Sequence, residues 1–392
     1  MLSRRSVLQA GAAVIAAPDK KLRAAVVGAG AFGGWTALHL LRAGVHVTLL
    51  DAWGPGNARA SSGGETRIIR STYGPHRVYV QMVVRSLALW REHEKRWNRP
   101  LYRQNGCIRL PGKDDRYEKA AVPLMRDAGL AIEELSPREA GKRWPQMNFE
   151  GVAWVLFEKD AGLLTARRNC EAVLTGFLKE GGEYKQLAVE PGSTAGGRME
   201  SLSLSDKSKL VADFYVFACG PWLGKLFPEV VGNRIQPTRQ EVFFFGVQGG
   251  DSRFSEDRLP VWIDGGEPHF YGIPGNEWRG FKIADDGRGP AFDPTSGDRV
   301  PTAEGIRAAR RYLDFRFPGM KGAPLVEARV CQYENTADHH FILDRHPGAQ
   351  NVWLVGGGSG HGYKMGPAVG EHVAALVLGK RQVDPFFTLK RL

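Results

Sequence analysis

Cysteine is scarce in this chain. Its 392 residues hold four, Cys107, Cys170, Cys219 and Cys331, widely spaced and with no C-x-x-C. That spacing gives no zinc site and no dithiol redox motif, and in a chain of this size it excludes a disulfide framework. Long apolar runs are missing too. The stretch Ala10 to Ala17 falls short of the about 20 residues that span a bilayer, so no membrane span is expected. No block of Lys or Arg accompanies the formal charge of +11; short basic pairs such as Arg310-Arg311 stand among acids. A nucleic-acid footprint needs clustering, so no nucleic-acid partner is expected. A spread positive field suits an anionic cofactor and a carboxylate substrate instead. There are no internal repeats and no low-complexity segments, and no metal is expected.

Glycine, by contrast, is abundant at 49 residues, many in tight turns beside apolar runs. The first 20 residues read separately from the rest. Ser3-Arg4-Arg5-Ser6-Val7-Leu8-Gln9 followed by an Ala-rich apolar stretch resembles a twin-arginine export signal. The expectation is a periplasmic or exported protein carried out already folded. The alternative is a disordered tail on a cytoplasmic one.

Leu22 to Val27 reads as a short buried strand. Gly28-x-Gly30-x-x-Gly33 follows it and opens a helix over Ala31 to Ala43, which Gly44 closes. Val45 to Leu50 is a second strand, ending in Asp51. In such a βαβ opening the first glycine makes the turn. The second lets the backbone approach a pyrophosphate, and the third lets the helix pack closely. Asp51 stands where ribose hydroxyls are bound, and the helix N-terminus offers free N–H groups to phosphate. The motif alone does not separate FAD from NAD.

Further along, His76 to Trp97 and Thr165 to Lys179 read as helices. Cys107 to Leu110, Gly151 to Phe157, Leu210 to Ala218 and Gln240 to Val247 read as strands, and short strands follow between Leu259 and Ala284. Asn351 to Val355, a glycine cluster and a helix from Pro367 to Leu378 close the chain. The expected fold is α/β, with an α+β insertion. A dinucleotide domain from 21–100, 163–233 and 335–392 holds a mixed-sheet substrate domain from 101–162 and 234–334.

Several segments then resemble one family. Gly64-Glu65-Thr66-Arg67-Ile68-Ile69-Arg70 with Tyr73-Gly74, Phe217-Ala218-Cys219-Gly220-Pro221-Trp222, Tyr271-Gly272-Ile273-Pro274 with Phe281-Lys282, Cys331-Gln332-Tyr333, and Gly358-Ser359-Gly360-His361-Gly362-Tyr363-Lys364 are similar to segments of D-amino-acid-oxidase-like flavoproteins. The monomeric sarcosine oxidase and N-methyltryptophan oxidase branch is the nearest. The resemblance implies a glutathione-reductase-type FAD-binding domain and FAD as cofactor, attached through Cys331, which reads as lying in a polar segment between strands. It implies that Arg70 and Lys364, from opposite ends of the chain, clamp a substrate carboxylate. Lys282 is implied over the flavin face, where O2 is activated, with Arg67 as a second cation and Tyr271 as a wall or donor. Gly358, Gly360 and Gly362 are implied to hold the flavin, with His361 shaping the turn rather than acting as a base. The implied reaction oxidises a secondary or N-methyl amino acid to an imine, with O2 reduced to H2O2 by a monomeric enzyme. A dehydrogenase passing electrons to a quinone or carrier protein, and a flavin-binding protein without turnover, remain as alternatives.

Two positions depart from the family's histidines. Gly63 is expected to open space, and Asp286 to attract an ammonium. Together they point to a bulkier or more cationic N-substituted amino acid than sarcosine.

Overall fold

A computed structural model describes residues 21–277 and 279–392. The export-signal expectation therefore falls on residues outside the described ones. Two large sheets organise the chain. The six-stranded sheet runs in the order Ile342–Arg345, Val352–Gly356, Phe214–Phe217, Arg23–Val27, His46–Leu50, Glu183–Lys185. Its pairings are parallel except at the Ile342–Arg345 edge. Parallel strands need both faces covered. The helices Ala31–Arg42, Arg77–Trp97 and Gly366–Val377 bury Trp35, Trp90 and Val373 over one face.

The glycine turn is shaped by close backbone packing. Gly28 has φ +105° and lies so near the Phe214–Phe217 strand end that a Cβ would stand 2.3 Å from the Ala218 carbonyl oxygen. A Cβ on Gly33 would stand 1.9 Å from the Gly28 carbonyl oxygen. No side chain fits either position, which is why glycine is required there.

The eight-stranded sheet is mixed. Its order is Leu325–Asn335, Gln236–Phe245, Phe281–Asp285, Phe270–Ile273, Val261–Asp264, Cys107–Leu110, Val155–Glu158, Ile132–Leu135. The helix Ala303–Arg316 covers one face over Trp262, Phe281 and Phe317. A small sheet of Arg67–Ile69, Gly162–Leu164 and Tyr102–Arg103 is also present. No described helix is long and apolar enough to cross a membrane.

One expectation about an element fails here. Cys331 does not lie in a polar segment between strands. It sits inside the eleven-residue strand Leu325–Asn335, paired with Gln240. The strand escapes a sequence reading because its buried positions include Gln332, Glu334 and Asn335 rather than an apolar alternation. The helices Arg116–Asp127 and Pro137–Arg143 and the strand Ile132–Leu135 were likewise not legible.

Candidate active site

Two cavities run through the molecule and meet. One, of about 270 Å³, passes between the glycine turn, Asp51, Gly220, Glu334 and Gly358. The other, of about 420 Å³, lies between Arg70, Tyr73, Tyr271, Asp286, His361 and Lys364. Tyr333, Gly360 and Tyr363 line both.

The first cavity is built from backbone. Gly28, Gly30, Gly358, Gly360 and Gly362 all line it, whereas Gly33 lies behind, packed on Gly28. Asp51 accepts N–H groups from Ala29 (2.8 Å), Trp53 (2.9 Å) and Gly54 (2.8 Å). It therefore fixes the turn as well as facing the channel. Burial raises its pKa, and the three N–H donors act the other way. Ser62 Oγ accepts from the Ala31 N–H at the helix start (3.0 Å). Two buried polar atoms of residues lining this channel have no partner among the described residues: Ser61 Oγ and Glu334 Oε2. A ligand in the channel can supply the partner that such a buried group lacks. The glycine cradle, the helix N-terminus and these unpaired atoms fit a dinucleotide.

The second cavity is cationic on one wall. Lys364 Nζ donates to Tyr73 Oη (3.1 Å) and to the His361 carbonyl (2.8 Å). The Arg70 guanidinium lies 4.4 Å from the Tyr73 ring centroid and donates to the Thr72 carbonyl. Residues from opposite ends of the chain thus meet on one tyrosine, which sequence reasoning named only as part of a motif. Neither cation has a carboxylate within ion-pair distance among the described residues. Burial, then the charge of Arg70, holds the Lys364 ammonium well below the usual lysine range. His361 Nδ1 lies 3.3 Å from Tyr73 Oη, and Nε2 lies 2.9 Å from the His339 carbonyl. Lys364 donates to Tyr73, so Tyr73 donates to Nδ1 and Nε2–H donates to His339. Burial, then the nearby Lys364, keeps this imidazole neutral. It serves as a brace. Glu158, also missed in the sequence, secures the segment before Tyr73 by accepting from the Ser71 and Thr72 N–H groups.

In the same cavity, Asp286 Oδ1 accepts from Tyr333 Oη at 2.8 Å. Tyr271 lines the same cavity. Gly63 does not, and the space expected there is absent. A Cβ at Gly63 would stand 2.3 Å from the Asn57 carbonyl oxygen, because the residue closes a tight turn. Its carbonyl instead accepts from Arg67.

Lys282 lines neither cavity. It is buried, with Nζ 2.9 Å from the Thr66 carbonyl and 5.5 Å from the Tyr271 ring centroid. The Arg67 guanidinium donates to that same carbonyl at 2.8 Å. Burial, then Arg67, lowers the Lys282 pKa well below its ordinary value. Arg67 also stands 3.8 Å from Cys331 Sγ. The other three cysteines are thiols whose pKa burial pushes up, Cys170 to about 12.

The family described as DAO, FAD dependent oxidoreductase, matches residues 23–376. The chain belongs to this family. Monomeric sarcosine oxidase of Bacillus sp. (strain B-0618) is 31% identical, across 93% of this chain and 95% of the relative. N-methyl-L-tryptophan oxidase of Salmonella newport (strain SL254) is 28% identical, across 91% and 94%. The solved structure of L-proline dehydrogenase from P. horikoshii superposes with a TM-score of 0.82, at 20% identity, over 95% of this chain and 97% of that one. That last likeness concerns the fold alone. As a member of the family, the protein is an FAD-dependent oxidoreductase.

Proposed function

We propose that this enzyme oxidises a secondary or N-methyl α-amino acid at the carbon–nitrogen bond. The product is an imine, which water hydrolyses; O2 is the electron acceptor and H2O2 the second product. One observation carries the reading. Arg70 and Lys364 stand at one wall of a 420 Å³ cavity without a carboxylate partner among the described residues. A buried cation without a counter-charge is costly, and a substrate carboxylate supplies that charge. The guanidinium offers a planar fork and the ammonium a point charge. The relatives' names support the same class, since sarcosine and N-methyl-L-tryptophan are both N-methyl amino acids.

We assign the first cavity as the FAD channel, lined by Gly28, Gly30, Asp51, Gly358 and Gly362; FAD bound there would supply the two-electron acceptor for oxidation of the carbon beside nitrogen. The protein's own part is placement. Tyr73, braced by neutral His361, holds Lys364 and Arg70 on one wall. Asp286 lines the same cavity. Its Oδ2 has no protein donor among the described residues, so it is open to a cationic group on the nitrogen side of the substrate. Tyr79, Tyr117, His76 and His340 complete an aromatic wall. This favours a bulkier or more cationic N-substituted amino acid than sarcosine. The argument now rests on Asp286 alone, since Gly63 adds no room. Lys282, beside Arg67 in a dry site, serves the O2 half-reaction by stabilising negative charge as it develops on oxygen. Cys331 is the residue we assign to flavin attachment. The adjacent guanidinium gives it the electropositive, part-exposed surroundings of a reactive cysteine.

A two-stage stopped-flow experiment tests this. Anaerobic mixing with a panel of amines reads flavin bleaching, and admitting air reads the return of colour. N-substituted amino acids should bleach the flavin, with larger or cationic ones outpacing sarcosine. Lys364→Met should slow bleaching by about 10²-fold or more while FAD stays bound. Lys282→Met should bleach normally and regain colour slowly. Equal reaction of amines lacking a carboxylate would remove the clamp, and equal loss in both stages would remove the oxygen role of Lys282. Slow return in air but fast return with an artificial acceptor would make the enzyme a dehydrogenase.

A further inference from the structure

Glu334 has no part in the amine chemistry. It lies on the strand Leu325–Asn335, three residues beyond Cys331, and its side chain is buried against the FAD channel. Oε1 accepts the Gly358 N–H at 3.1 Å. Oε2 has no partner. It rests against the Gly220 backbone, where a Cβ would come within 2.6 Å of it. No Lys or Arg lies within ion-pair distance of this carboxyl among the described residues.

A carboxylate in that setting is poorly tolerated. It is desolvated, lacks a counter-ion, and faces the channel that receives a pyrophosphate. Three like charges in a low-dielectric channel repel strongly. The neutral acid has no such penalty, and its hydroxyl is a hydrogen-bond donor. Burial raises the Glu334 pKa to about 7, against a single N–H donor that favours ionisation. Every other polar group facing it is accounted for. Cys219 Sγ, part-buried, donates to the Val27 carbonyl, and Ser359 Oγ turns away to the Gly357 carbonyl. Asp51, the other acid in the channel, has three N–H donors and already acts as an acceptor.

We propose that Glu334 is a cofactor-binding residue that works in its neutral form. Its Oε2 hydroxyl donates a hydrogen bond to an oxygen of the FAD phosphate–ribityl chain, and ionisation of this one carboxyl loosens the cofactor. The inference rests on FAD occupying the channel and not on which amine is oxidised. The proton balance is simple: FAD binds the protonated enzyme, and one proton leaves when the ionised form prevails.

The test measures FAD affinity in Cys331→Ala protein, so that a covalent tether cannot mask it. Apoprotein is titrated with FAD between pH 5.5 and 8.5, roughly 1.5 units to either side of the carboxyl's midpoint, and binding is read by quenching of flavin fluorescence. Affinity should be constant on the acid side and fall towards tenfold per pH unit above neutrality, the limit for one linked proton. Adding Glu334→Gln keeps a donor and removes the charge, so the alkaline loss should disappear. A flat profile in the parent overturns the proposal without any second variant. The same alkaline slope in the Gln variant also overturns it. Failure of every amine to bleach the flavin would defeat the catalytic reading and leave this one standing.

Discussion

At the residue scale, the environment rather than the residue type decides which groups do chemistry. The chain has four cysteines, and among the described residues only Cys331 has a guanidinium within 4 Å of its sulfur. Acid precipitation separates the outcomes. The yellow colour should stay with the polypeptide in the parent protein and pass to the supernatant in Cys331→Ala. Colour released from both would show a non-covalent flavin. The same contrast holds for lysines. Most stand exposed, whereas Lys282 and Lys364 are buried with backbone carbonyls or a tyrosine for partners. The motifs that named Cys331, Lys282, Arg70 and Lys364 were legible because each lies in a short run of unusual residues. Tyr73, Glu158 and Glu334 were harder to single out. Their importance comes from what they touch, and their partners lie from about 24 to 291 positions away.

At the scale of elements, the glycine turn and its helix are held by contacts that admit no side chain. Gly33→Ala puts a methyl group where the Gly28 carbonyl oxygen already stands. The helix Ala31–Arg42 must then move away from the turn. FAD affinity should fall by at least tenfold, with a stability loss of about 1–3 kcal/mol; unchanged flavin content and melting temperature would contradict this. This βαβ opening could be read from sequence because its periodicities are apolar and local. The strand Leu325–Asn335 could not. Of its buried polar positions, Glu334 lines the first cavity and Asn335 the second, so the apolar alternation that marks a strand is lost there.

Across the whole molecule, the helices Ala31–Arg42 and Gly366–Val377 pack together and each carries a histidine pushed down to about 4. For His39 and for His372 burial is the largest cause, and each Nε2 is left without a partner. The unfolded chain takes up protons near pH 6.5, whereas the folded one resists until about pH 4. Below pH 6.5 the unfolded state therefore binds more protons, and stability falls as pH falls through that window. Each histidine should contribute on the order of 1–2 kcal/mol of loss by pH 5. Thermal melts of the holoenzyme at pH 7 and pH 5 should show the drop, and His39→Gln with His372→Gln should reduce it. An unchanged difference in the double variant would place the acid sensitivity elsewhere.

By itself the sequence determined the dinucleotide turn, the sheet strands that read as apolar runs, and the family to which the chain belongs. These depend on periodicity, glycine spacing and short motifs, all of which are local. Tertiary structure alone decided that Arg70 and Lys364 share Tyr73, that Gly63 closes a turn instead of opening a pocket, and that Glu334 lines the first cavity with Oε2 unpaired among the described residues. Those facts depend on which distant segments become neighbours and on which charges lose their water, and burial sets both only once the chain has folded.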